Sequence, residues 1–287
     1  MSERPIELHL SAPVSDSNFT QVLHDFMSSC IDLSVRLSEG SGGKTGRHEL
    51  EVADRIDEYD TRTVGFDPAD PASVLAVGPA PYSVSLVSST VRAHTPLDAR
   101  IVRQPHATVG SDGSVALSPS GWATLQVTTA RRVLDENPDV VIDFLKEKFQ
   151  VYGCSFGCIT DDISSFRTAF ELATKWKTSR SLPLSAEFLR GYAWVTAIGK
   201  SHVDRLLAHG VSIEEFEKNS IETSLLEDGS VVLRAAQSLA DYDTHAMDQL
   251  ERLLHSVLLP GLTRPLFKGY EHLRVVYGRD TSSNSVA

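Results

Sequence analysis

From residue 122 to Gly210 the spacing of apolar residues switches repeatedly between two and about 3.6, which confines the stretch to strands and helices in alternation. Residues 122–128 read as a strand. Asn137 and Pro138 then supply an N-cap and first helical position for a helix that turns Val141, Phe144, Leu145 and Phe149 to one side. Strand spacing returns over 151–160, Phe166, Phe170, Ala173 and Trp176 mark another helix, 192–198 another strand, and 201–209 a short helix closed by Gly210. Trp194 is expected in the core of its strand. Segments 221–226 and 231–235 flank a turn at Asp228-Gly229 as a hairpin, and Met247, Leu250, Leu253, Leu254 and Val257 place a last helix ended by Pro260-Gly261.

The first part of the chain is richer in strand signals. Ile6, Leu8 and Leu10 alternate with Glu7 and His9 as in a half-buried strand, and Asp16 and Ser17 offer N-caps to a helix carrying Phe19, Val22, Leu23, Phe26, Met27 and Cys30. Ile31, Leu33, Val35 and Leu37 fit either a strand of period two or a continuation of that helix. After an acidic segment and the breaker-rich run 66–71, residues 82–91 resume strand spacing; Asp112-Gly113 suggests a hairpin, and Ser118-Pro119-Ser120-Gly121 follows. At ~150 residues per domain, 287 residues make about two domains or one large one. We place the joint around 104–121, separating a β-rich half with one clear helix (1–121) from an α+β half (122–287). The expected class is α+β, with mixed or antiparallel sheets covered by helices and each half readable as a split β-α-β unit.

The charge balance narrows the partners. Twenty-seven Lys plus Arg against 38 Asp plus Glu give a net charge of -11, which disfavours nucleic acid and anionic membranes and favours a basic partner. Residues 49–70 hold eight carboxylates against Arg55 and Arg62, and residues 211–250 hold nine against Lys218 and Arg234. Solvated faces that keep the chain soluble are the alternative explanation. Three cysteines fit a reducing compartment rather than a disulfide scaffold. Charged residues near the N-terminus stand where a signal peptide needs an apolar core, so a cytoplasmic location is expected. The uncharged run 71–91 contains Pro71, Pro79 and Pro81 and reads as a linker entering a strand.

Several patterns invite a chemical reading. Residues 38–45, Ser-Glu-Gly-Ser-Gly-Gly-Lys-Thr, match a phosphate-binding loop except that Ser38 replaces its first glycine, and such a loop needs a strand before it and a helix after it. Gly46, Arg47 and His48 follow with no apolar helical face, so a hairpin loop competes with nucleotide binding. Cys154 and Cys158 share one face of a strand but lie too far apart to bond, and read as buried small residues. His202, His209, His245 and His255 lack the spacing of a zinc pair and read as surface or capping histidines. Asp161-Asp162 suit a helix start, and no nucleophile elbow is present in the sequence. No metal or cofactor is expected.

Residues 189–199, Leu-Arg-Gly-Tyr-Ala-Trp-Val-Thr-Ala-Ile-Gly, followed by His202-Val203-Asp204-Arg205-Leu206, resemble the middle of bacterial immunity proteins that guard against polymorphic toxins and type VI secretion effectors. Residues 227–235 look like that family's glycine-turn strand and 243–260 like its terminal helix, so the resemblance spans roughly 120–262. It implies a non-enzymatic protein that occludes a cognate toxin stoichiometrically, often by turning an acidic face to a basic active site. Glu214, Glu215, Glu217, Glu227 and Asp228 are then the candidate contacts. The alternatives are a small-molecule or nucleotide-binding enzyme using 38–45, and a regulatory protein-interaction module.

Overall fold

A computed structural model describes residues 5–37, 48–54, 61–78, 81–88, 97–109, 115–161, 171 and 177–258. Its frame is one ten-stranded sheet in the order β3-β2-β4-β5-β6-β1-β7-β8-β10-β9, antiparallel at every junction. The strands are β1 (Pro5–Ser15), β2 (His48–Ala53), β3 (Arg62–Phe66), β4 (Ser83–Ser88), β5 (Leu97–Val109), β6 (Val115–Ala130), β7 (Phe156–Thr160), β8 (Val195–Ile198), β9 (Glu222–Leu225) and β10 (Val231–Arg234). The α+β class is therefore realised with a purely antiparallel sheet. Among the described residues the helices include α1 (Phe19–Leu37), α2 (Arg131–Glu136), α3 (Pro138–Val151), α4 (Thr178–Ser181), α5 (Lys200–Ala208), α6 (Ile213–Asn219) and α7 (Thr244–Leu254).

The N-terminal strand sits in the middle. β1 pairs with β6 over its whole length and with β7 on its other side, so strands from before and after residue 121 share one sheet. The boundary placed at Gly121 falls inside β6. The breakers Ser118, Pro119 and Ser120 coincide with a register irregularity opposite Pro105 and Ala107, so they bend a strand rather than end one.

Because alternate residues of a strand face opposite ways, the sheet has two differently built sides. Ile6, Leu8, Leu10, Ala12 and Val14 of β1 join Leu50, Val84, Ile101, Leu125, Ile159 and Val195 on the first side, under α1 and α3. Helix spacing won over period two at Ile31–Leu37: α1 runs through to Leu37, with Phe19, Leu23, Phe26, Met27, Cys30, Ile31 and Leu33 buried. In α3, Val141, Phe144, Leu145 and Phe149 are buried as the spacing required.

On the second side the cover is local. Phe156, Cys158, Ile198, Val231 and Leu233 meet Val203, Leu206, Phe216, Leu250 and Leu254 of α5, α6 and α7. Ser212 caps α6 through a reciprocal pair with Glu215, and Asp243 accepts from Ala246 N at 3.0 Å to start α7. Over β5 and β6, α4 and the 3-10 turn Leu182–Ala186 lie across the middle of the sheet. Among the described residues, no helix is long and apolar enough to cross a membrane.

Candidate functional site

Under α4 and the turn that follows it lies a buried polar centre that β1 supplies from its second side. Glu7, His9 and Ser11 alternate with the apolar row and are no more than 6% exposed, so the strand is covered on both faces. Arg190, fully buried, donates to Glu171 Oε1 at 2.6 Å and to Ser11 Oγ at 2.6 Å. Its Nη1 also lies 3.2 Å from His9 Nε2, while His9 Nδ1 lies 3.3 Å from Glu7 Oε1. These partners assign the neutral tautomer, with the proton on Nδ1 directed to Glu7 and the Nε2 lone pair facing Arg190. Burial holds the His9 pKa below its ordinary value; the Glu7 hydrogen bond opposes that and the Arg190 charge adds to it. Gln126 Nε2 donates to Glu7 at 2.9 Å and Ser181 Oγ to Glu171. The net effect is mechanical: the guanidinium ties Glu171 to the central strand.

Sequence reasoning did not single out this centre. The signal present was a lone arginine in the otherwise apolar run Phe188-Leu189-Arg190-Gly191-Tyr192, together with three polar residues on one side of β1.

The five carboxylates expected to meet a partner fall into two groups, all exposed. Glu214, Glu215 and Glu217 lie on α6, whose Phe216 is buried between them and the sheet. Glu227 and Asp228 form the tip of the β9–β10 hairpin, and α6 packs against β9. Two of the five have structural duties. Glu215 accepts from Ser212 N at 2.9 Å in the capping box, and Asp228 accepts from Ser230 N at 2.9 Å and Ser230 Oγ at 3.0 Å, shaping a turn in which Gly229 takes φ +84°. The Glu214 carboxyl is held below its ordinary pKa, chiefly by a hydrogen bond with Ser212. Among the described residues, Glu217 and Glu227 have no hydrogen-bond or ion-pair partner.

Residues 38–45 lie outside the described residues, but α1 precedes them and β2 follows, the reverse of the strand–loop–helix order that a phosphate cradle uses. Cys154 and Cys158 are buried, and burial pushes the Cys154 thiol up. Asp161 pairs with Arg131 at 3.4 Å, while Asp162 and the helix expected around Phe166–Trp176 by spacing lie outside the described residues. Among the described residues, no cluster of three or more His, Cys, Asp or Glu could hold a metal ion.

His209, His245 and His255 are exposed, but His202 corrects the expectation of a surface or capping histidine. It is fully buried in α5, and neither ring nitrogen has a hydrogen-bond partner among the described residues. Burial first, and the Arg205 charge second, lower its pKa from 6.5 to about 4. The unfolded chain therefore takes up the proton first as pH falls, so the stability this neutral ring permits is whole above pH 6.5 and is lost toward pH 4. The expected loss is ~2 kcal/mol by pH 5 and ~3 kcal/mol in full. Urea midpoints of wild type and His202→Leu, compared at pH 7 and pH 5, check this. The variant should lose less on acidification, although not nothing, because His9 titrates in the same direction; equal acid losses would refute the assignment.

No protein-family model and no curated protein matches the sequence. Among solved structures, the Pseudomonas aeruginosa T6SS protein PA0821 is similar, with 13% identity and a TM-score of 0.50 over 88% of this chain and 72% of that one. At that identity the likeness is one of fold.

Proposed function

We propose that this protein is a cytoplasmic immunity protein that binds a cognate bacterial toxin and neutralises it by occlusion, without catalysis. The observation that carries the reading is the set of exposed carboxylates on α6 and at the β9–β10 tip, three of which, Glu214, Glu217 and Glu227, neither complete a capping box nor shape the turn. The net charge of -11 points the same way, toward a basic partner. The fold shared with a T6SS protein and the resemblance of residues 120–262 to immunity proteins support the reading.

The test is a titration of the purified protein with a candidate toxin, sought first among the products of neighbouring genes, and growth rescue when the two are co-expressed. A stoichiometric complex and protection are expected; no complex and no protection would overturn the proposal. Glu214→Gln, Glu217→Gln and Glu227→Gln together should slow association roughly tenfold at low salt and leave dissociation nearly unchanged, because exposed charges steer encounter more than they hold a complex. Screening over ~8 Å at physiological salt should shrink the difference. Stopped-flow rates at several salt concentrations decide it, and identical association rates throughout would sink the acidic-face argument. Glu215 and Asp228 are left intact because changing them would disturb the helix cap and the turn.

A further inference from the structure

We infer that the outer edge of β9 is a docking strand, and that its occupant is an extended basic segment of the partner which adds to the sheet as an eleventh strand. This rests on the toxin-binding reading and specifies how the contact is made. The hairpin geometry fixes which backbone groups are available. Leu226 N donates to Ser230 O at 2.8 Å, and the register pairs Ser224 with Val232 and Glu222 with Arg234. Hydrogen-bonded pairs alternate along an antiparallel ladder, so Glu222, Ser224 and Leu226 point their backbone groups at β10 while Thr223 and Leu225 point theirs outward. β9 ends the strand order, and among the described residues nothing pairs with those outward groups.

The side chains suit an added strand. Leu225 is 64% exposed and lies on the same side of the strand as Thr223, so an incoming strand would find an apolar side chain to cover. The segment Ile221-Glu222-Thr223-Ser224-Leu225-Leu226 contains neither lysine nor proline, two devices that commonly keep edges from pairing. The opposite edge differs: the 3-10 turn Pro71–Val77 packs on β3, and Arg62 of β3 reaches the carbonyls of Ala76 and Val77.

Charge selects the occupant. Glu217, Glu227 and Asp228 lie on the helix and turn that flank β9, against Lys218, and a second copy would bring the same carboxylates and a further net charge of -11 to the edge. Like charges opposed across a contact are unfavourable, so a strand alternating basic and apolar residues fits where a self-pairing strand does not.

The experiment follows amide hydrogen exchange of the full chain by NMR, with an acetylated Lys-Val alternating heptapeptide as probe and a Glu-Val heptapeptide as its control. In the free chain the Thr223 and Leu225 amides should exchange much faster than those of Ser224 and Leu226. Millimolar Lys-Val peptide should slow both roughly tenfold, and the Glu-Val peptide should not. Thr223→Pro removes an outward donor that the β10 ladder does not use, so it should keep the wild-type melting temperature while losing the peptide effect at Leu225. Protection of both amides in the free chain would mean that another part of the chain or a second copy holds the edge, and would overturn the proposal, as would no response to the Lys-Val peptide. A candidate toxin separates the two readings. A toxin complex that leaves both amides unprotected overturns the edge and spares the immunity role, whereas peptide protection without toxin binding upholds the edge and removes that role.

Discussion

Arg190→Met is expected to destabilise the fold by ~3–5 kcal/mol, the range found when one member of a buried ion pair is removed and its partner is left uncompensated. Three groups lose a partner at once. Glu171 loses the guanidinium beside its carboxylate, and Ser11 Oγ and His9 Nε2 lose a donor that solvent does not replace, since Arg190, Glu171 and Ser11 have no exposed surface. Arg190→Lys should fall between the two, because it retains a charge but not the fork that reaches Glu171 and Ser11 from separate nitrogens. Arg190→Met combined with Glu171→Leu should recover part of the loss, because the carboxylate that faced the guanidinium is then removed with it. Urea unfolding at constant slope measures all three. A cost under ~1 kcal/mol for Arg190→Met would mean that the Arg190–Glu171 pair is not sealed from water against β1.

That prediction arises where the sequence was least legible. In β1 the alternation of Ile6, Leu8 and Leu10 with Glu7 and His9 gave the strand and its facing correctly, but it implied a wet polar side and the polar side is dry. Alternation reports the chemistry of a face; whether water or an arginine from 180 residues later satisfies it is a tertiary fact. The same limit hid β2 and β3. Leu50 and Val52 are buried in β2, yet they are spaced by Glu49 and Glu51 in a run of carboxylates that reads as a solvated segment. Helix α3 and the hairpin β9–β10 were legible because local chemistry alone decides them: Asn137-Pro138 ahead of a clean apolar face, and Asp228-Gly229 supplying a turn that needs positive φ. Of the expected contact residues, their exposure was legible and their duties were not. Capping by Glu215 depends on Ser212 three residues earlier, a signal present in the sequence; the Asp228 contact with Ser230 follows from the same turn.

Trp194→Ala is expected to cost ~3–5 kcal/mol, as removal of a large core side chain does when its surroundings relax only in part. The residue is 1% exposed at the head of β8, as its place in the expected strand required. Its Nε1 donates to Ala236 O at 2.8 Å, so the truncation also strands a carbonyl just beyond β10. A second consequence reaches the edge of the sheet. The Arg234 guanidinium lies 5.4 Å from the centre of the Trp194 ring and binds Asp139 at 3.3 Å and Glu222 of β9 at 3.6 Å. The indole thus forms one wall of the slot that holds the arginine linking α3 to β9. Its loss should loosen β9 and β10 more than β2, β3 and β4, which lie at the other end of the strand order. Trp194→Phe keeps most of the ring and drops the N–H, so ~1–2 kcal/mol is expected for it, close to the value of one unsatisfied buried group. Circular dichroism during denaturation gives the stabilities, and amide exchange gives the distribution. Near wild-type stability in Trp194→Ala would put the indole at the surface, and exchange that quickens equally in all strands would break the proposed link between Trp194, Arg234 and the edge strand.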